Sequence, residues 1–102
     1  MKRYVRIWNN NEWIHDDLIN VRRGDIFQLY SSKGIKLDMS HRGHNITYGL
    51  AIFNAVKIDN DDNAEIFYEP MADIKEAGKT IEQVLMEYPE NHDFDAIQCN
   101  AM

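Results

Sequence analysis

The chain has 102 residues, 44% hydrophobic and 27% charged, with a single cysteine, Cys99. That length holds one core rather than two, that composition excludes a disordered chain, and one thiol excludes an intramolecular disulfide. Charge is unevenly spread: residues 1–50 hold eight Lys/Arg and five Asp/Glu, while residues 51–102 hold three and twelve, so +3 and −9 make the net −6. Such polarity suits an anionic ligand on the basic part or a basic partner on the acidic part. A pI near 5.0 argues against a general nucleic-acid binder. The opening Met1–Arg6 is basic but lacks an apolar stretch after it, and no apolar run reaches membrane-spanning length. The expectation is a protein of a reducing, cytoplasmic compartment, without membrane contact.

In chain order, Val5 and Ile7 alternate with Tyr4, Arg6 and Trp8, which predicts a strand over about 2–8. Asn9–Glu12 reads as a turn, because Asn tolerates left-handed backbone angles, and Trp13-Ile14 resumes a strand, giving a hairpin over 2–15. A Gly24-Asp25 turn leads into a strand at Ile26–Tyr30, and Ser31–Gly34 turns into Ile35–Met39 with clean alternation. The apolar run Ile46–Ile58 carries bulky residues on both faces and predicts a central strand, or one that bends between two sheets at Gly49. Asp59–Asn63 closes a hairpin onto Ala64–Glu69, stopped by Pro70.

The period then changes. Ile74, Ala77, Ile81, Val84, Leu85 and Tyr88 fall at helical spacing, with Gly78 weakening the middle. Thr80–Gln83 is a capping-box pattern, so a fresh helix can begin at Thr80 and end before Pro89. The whole chain, 1–102, is thus one mainly β (α+β) domain: a small antiparallel β-barrel or rolled sheet over about 2–69, one amphipathic helix over about 72–88, and a tail over 90–102. The two-faced apolar strand, with a tail patch of Phe94, Ala96, Ile97 and Met102, predicts homo-oligomerisation.

The loop His41-Arg42-Gly43-His44-Asn45 gathers two imidazoles and a guanidinium around a permissive glycine, donors suited to a phosphate. His41 and His44 are half of a zinc set, and no spacing brings further donors to them, so no metal or cofactor is expected. Asp59–Glu65 resembles the start of a calcium loop but has Ala64 at the glycine position and Pro70 where the last glutamate belongs; it reads as a solvated turn. Arg23-Gly24-Asp25 reads as a turn as well. Phosphate-loop, dinucleotide, metalloprotease and nucleophile-elbow motifs are missing from the chain, which lowers the case for an enzyme.

The cadence of Trp8, Trp13-Ile14, then Val21–Leu29 and a Gly-turn hairpin resembles short accessory proteins of bacteriophages and other mobile elements, over residues 4–70. The resemblance implies a protein that counteracts a host defence factor, by binding a host protein or by sequestering a small anionic or nucleotide ligand in the host cytosol. Contacts for such a ligand would be Arg22, Arg23, Lys33, His41, Arg42 and His44; for a protein partner, the acidic helix and tail. Two other readings stay open: a self-assembling structural or assembly component, and a small phosphoesterase or nuclease using His41 and His44.

Overall fold

The computed structural model describes residues 2–37, 46–60 and 63–89. Strand β1 (Tyr4–Asn9) turns through Asn10 and Asn11, at φ 50° and 65°, into β2 (Glu12–Asp16). Consecutive left-handed residues match the right-handed twist of a two-residue hairpin, which is why asparagines stand there. A short 3-10 turn (Leu18–Asn20) and the Gly24 turn (φ 93°) lead to β3 (Ile26–Tyr30). With β4 (Gly49–Ala51) and β7 (Tyr68–Pro70), these strands form one antiparallel sheet of order β2-β1-β3-β4-β7. The sheet is open, with β2 and β7 at its edges, so it is a rolled sheet and not a closed barrel. Pro70 is tolerated because an edge strand needs no donor on its outer side. β5 (Val56–Lys57) and β6 (Ala64–Glu65) make a separate two-stranded ribbon.

The fold is mainly β, as the alternation predicts, and differs from expectation in three places. The helix expected over 72–88 is two helices, α1 (Met71–Glu76) and α2 (Ile81–Glu87). At the end of α1, Gly78 N–H donates to Lys75 O and Lys79 N–H to Ile74 O, a Schellman pair that needs the left-handed Gly78 (φ 70°). Two residues later Thr80 Oγ1 accepts from Gln83 N–H at 3.1 Å and Gln83 Oε1 from Thr80 N–H at 2.8 Å, the expected capping box.

The expected strand 46–58 is also divided: the chain leaves the main sheet after Ala51 and joins the ribbon at Val56, so it bends over 52–55 rather than at Gly49. Hydrogen bonds from Ile52 N–H to Phe67 O and from Ala55 N–H to Val21 O hold that bend. Finally, residues 35–37, the described part of the next expected strand, form an isolated bridge, Lys36 to Tyr30, and Ile35 is 62% exposed. Asp38 and Met39 lie outside the described residues.

Each face of the sheet has its own core. Val5, Phe27 and Ala51 point to one side and are buried with Leu18, Val21 and Ala55. Leu50 points to the other and is buried with Ile52, Met71, Ile74 and Val84, under the two helices. The apolar residues on both faces of β4, Leu50 and Ala51, are therefore fully covered within one chain. No helix among the described residues is long and apolar enough to cross a membrane.

Candidate functional site

The helices cover the β3–β4–β7 side of their sheet face. On the β1–β2 side of that same face, alternation places Tyr4, Arg6 and Trp8 from β1 beside Trp13 and His15 from β2. The hairpin register pairs Trp8 with Trp13 and Arg6 with His15. The two indoles meet edge to face with centroids 5.0 Å apart, and Trp13 continues to Tyr48 at 5.7 Å. Tyr48 is fixed by its carbonyl, which accepts from Met71 N–H at 3.0 Å and so ties the start of α1 to the approach to β4.

Between the indoles and the helices lies a groove of about 530 Å³, floored by Ile26 and Tyr48 and bounded by Trp8 and Trp13 on one side and Met71, Lys75 and Ile81 on the other. Lys75 carries its ammonium 5.9 Å from the centre of the Tyr48 ring, in cation–π range. Trp8 remains 44% exposed. An indole offers up to about 250 Å² for burial, so roughly 100 Å², or about 2.5 kcal/mol of transfer energy, goes unused at this one residue. The groove volume falls in the range of small-molecule sites, which are mostly apolar with a few placed polar groups.

Further along the face, Tyr4 stacks on Tyr30 (4.9 Å, 6° between planes) and meets His15 at 4.5 Å. The Arg6 guanidinium lies 4.9 Å from the centre of the Tyr30 ring. Beneath it the Tyr30 hydroxyl donates to Gln28 Oε1 at 3.1 Å, and both residues are buried.

Of the six residues expected to hold a ligand, Arg22, Arg23 and Lys33 are among the described residues. Arg22 Nη1 donates to Ile19 O at 2.7 Å and to Val21 O at 3.1 Å. Arg23 Nη2 donates to Leu85 O at 2.8 Å and Tyr88 O at 3.1 Å, binding the end of α2 to the turn before β3. Lys33 sits in the turn after β3, exposed, its backbone N–H on Ser31 Oγ. The arginines precede this five-residue strand and Lys33 follows it, so they occupy opposite ends, about 15 Å apart along the strand. His41, Arg42 and His44 lie outside the described residues, as do the tail residues from 90 onward.

A second cleft, about 380 Å³, opens on the other face between the sheet and the ribbon, lined by Leu18, Leu29, Ile58, Ile66 and Tyr68 with Arg3 and Glu65 among them. Its charges are of both signs and its walls hold one aromatic ring, so it offers less to a flat or anionic ligand than the Trp8–Trp13 groove does. The sequence signal for that groove was the same-face triplet Tyr4, Arg6, Trp8 facing Trp13 across an Asn-Asn turn. In comparisons with known proteins, no family model, no curated protein and no solved structure matches this chain.

Proposed function

We propose that this is a non-enzymatic binding protein that captures a small anionic ligand by seating the ligand's flat ring among Trp8, Trp13 and Tyr48. The observation that carries the reading is the aromatic groove with a cation on its wall: a chain of ring contacts from Trp8 through Trp13 to Tyr48, with Lys75 over the last. A ring laid against their exposed surfaces in the groove gains apolar burial that Trp8 lacks in the free chain, and offset or edge contacts add about 0.5–1.5 kcal/mol each. An aromatic cage for a quaternary ammonium has the same rings but no cation of its own, since like charges repel; Lys75 favours an anion. Sequestration of such a ligand suits the mobile-element accessory proteins that residues 4–70 resemble.

The test is thermal unfolding with a panel of nucleoside mono-, di- and cyclic phosphates. A ligand that binds only the folded chain raises its melting temperature by mass action, and Trp8→Ala should abolish the rise, measured from that variant's own unliganded midpoint. A flat response to the whole panel, or the same rise in Trp8→Ala, would contradict the reading.

A further inference from the structure

We infer that Arg6 is the phosphate-receiving residue of this site, and that the ligand is a free nucleotide whose base lies in the groove and whose phosphate extends along β1; the inference rests on the groove being the ring's seat. Among the described residues, the guanidinium groups of Arg6, Arg22 and Arg23 make contacts of different kinds. Those of Arg22 and Arg23 donate to backbone carbonyls. That of Arg6 lies over Tyr30, its centre 4.9 Å from the centre of the ring, a cation–π contact that needs no N–H···O bond. Among the described residues no carboxylate or carbonyl accepts from it. A guanidinium fixed in place with its fork of donors free is the receptor geometry for a phosphate or carboxylate, which it binds with paired, charge-assisted hydrogen bonds.

Its position sets the length of the ligand. Arg6 and Trp8 are two residues apart on one strand and share a face, so their Cα atoms are about 6.7 Å apart. His15, the cross-strand partner of Arg6, adds two ring nitrogens on the same side. The Arg6 guanidinium sits over Tyr30, the cross-strand partner of Tyr4, so a molecule with its flat ring against Trp8 and Trp13 reaches it by extending along β1 past a sugar-sized gap. The groove itself, about 530 Å³, has room for a base and sugar together, with Lys75 on the opposite wall. A long nucleic acid fits less well, because the chain's net charge of −6 repels a polyanion beyond the contact patch.

The experiment is calorimetric titration of the intact protein at low and at physiological salt with adenosine, adenosine monophosphate and a single-stranded dodecanucleotide, for wild type, Arg6→Gln and Trp8→Ala. The monophosphate should bind wild type about tenfold more tightly than adenosine, the worth of one charge-assisted pair, and the gap should narrow with salt. Arg6→Gln should bind both equally, at the wild-type affinity for adenosine, which also shows that its groove is intact. Trp8→Ala should lose both. Equal binding of adenosine and its monophosphate by wild type, or a gap that survives in Arg6→Gln, overturns the role of Arg6 while leaving the groove standing. Binding of both that is indifferent to Trp8→Ala overturns the groove reading and this one with it. A dodecanucleotide that binds more tightly than the monophosphate overturns the free-nucleotide assignment.

Discussion

The last turn of α2 contains no basic residue, and Arg23 supplies the missing charge from sixty-two positions earlier, where its Nη2 meets Leu85 O. Carbonyls at a helix end lack intrahelical partners and carry the negative end of the dipole, so a guanidinium is well matched to them. Arg23→Ala should lower stability by about 2 kcal/mol, read as a drop in the urea midpoint without a change in slope; Arg22→Ala, with its exposed local bonds, should cost less than half as much. Tyr88 supports the same corner by donating its hydroxyl to Glu69 Oε1 at 2.7 Å. That hydrogen bond, with some burial and the Glu69 charge, pushes the phenol up to about 12. The folded chain therefore keeps this proton above the pH of about 10 at which an unfolded tyrosine loses it. The contribution of the bond is full below about pH 10 and lost as pH rises through about 12. The stability difference between wild type and Tyr88→Phe should be flat from pH 7 to 9 and shrink above about 10. Sequence composition showed where cations were plentiful. It did not show which of them had already found carbonyls in the fold, because Arg23's partners are distant in the chain; Arg6 and Arg23 look alike until the contacts of each are known.

At the scale of elements, α2 shows what periodicity resolves. The apolar stripe named its buried side, yet only Val84 is fully enclosed, while Ile81 and Leu85 are half-buried, since a seven-residue helix lying on a sheet encloses one position along its centre line. Val84→Ala should cost about 2 kcal/mol, Thr80→Ala about 1 kcal/mol through the lost cap, and Glu82→Ala close to nothing; equal losses for Val84 and Glu82 would contradict the docking described. The helix break was legible, because Gly78 and Thr80 are local signals for an end and a start. The division of 46–58 was not. Its apolar pattern is continuous, and the bend at 52–55 is held by bonds to Phe67 and Val21, partners that only the tertiary arrangement brings near. The described part of the segment from Ile35, 35–37, does pair with the end of β3, through Ser31 N–H to Ile35 O and Leu37 N–H to Leu29 O on either side of the Lys36–Tyr30 bridge.

Across the whole molecule, the sheet divides labour between its faces and along one of them. One face is closed by the core around Val5 and Phe27, and the helices close the β4 side of the other. Among the described residues, what stays open is the hairpin side of the helix-bearing face, where aromatic rings and Arg6 stand together. This arrangement was half visible in the sequence, in the alternation of Tyr4, Arg6 and Trp8, since a strand's period fixes which residues share a side. That the open side would belong to the hairpin, and that Tyr48 and Lys75 would arrive from later elements to complete a groove, depended on strand order and on where α1 docks. Two-dimensional ¹H–¹⁵N spectra recorded while adenosine monophosphate is added test the site most directly, because the indole N–H signals of Trp8 and Trp13 report on the groove from within. The account predicts that both indole signals move together with the Arg6 side-chain and Tyr48 and Lys75 backbone signals, while Leu29, Ile58 and Tyr68 on the opposite face stay in place. Shifts confined to that opposite face, or none at saturating nucleotide, would contradict it.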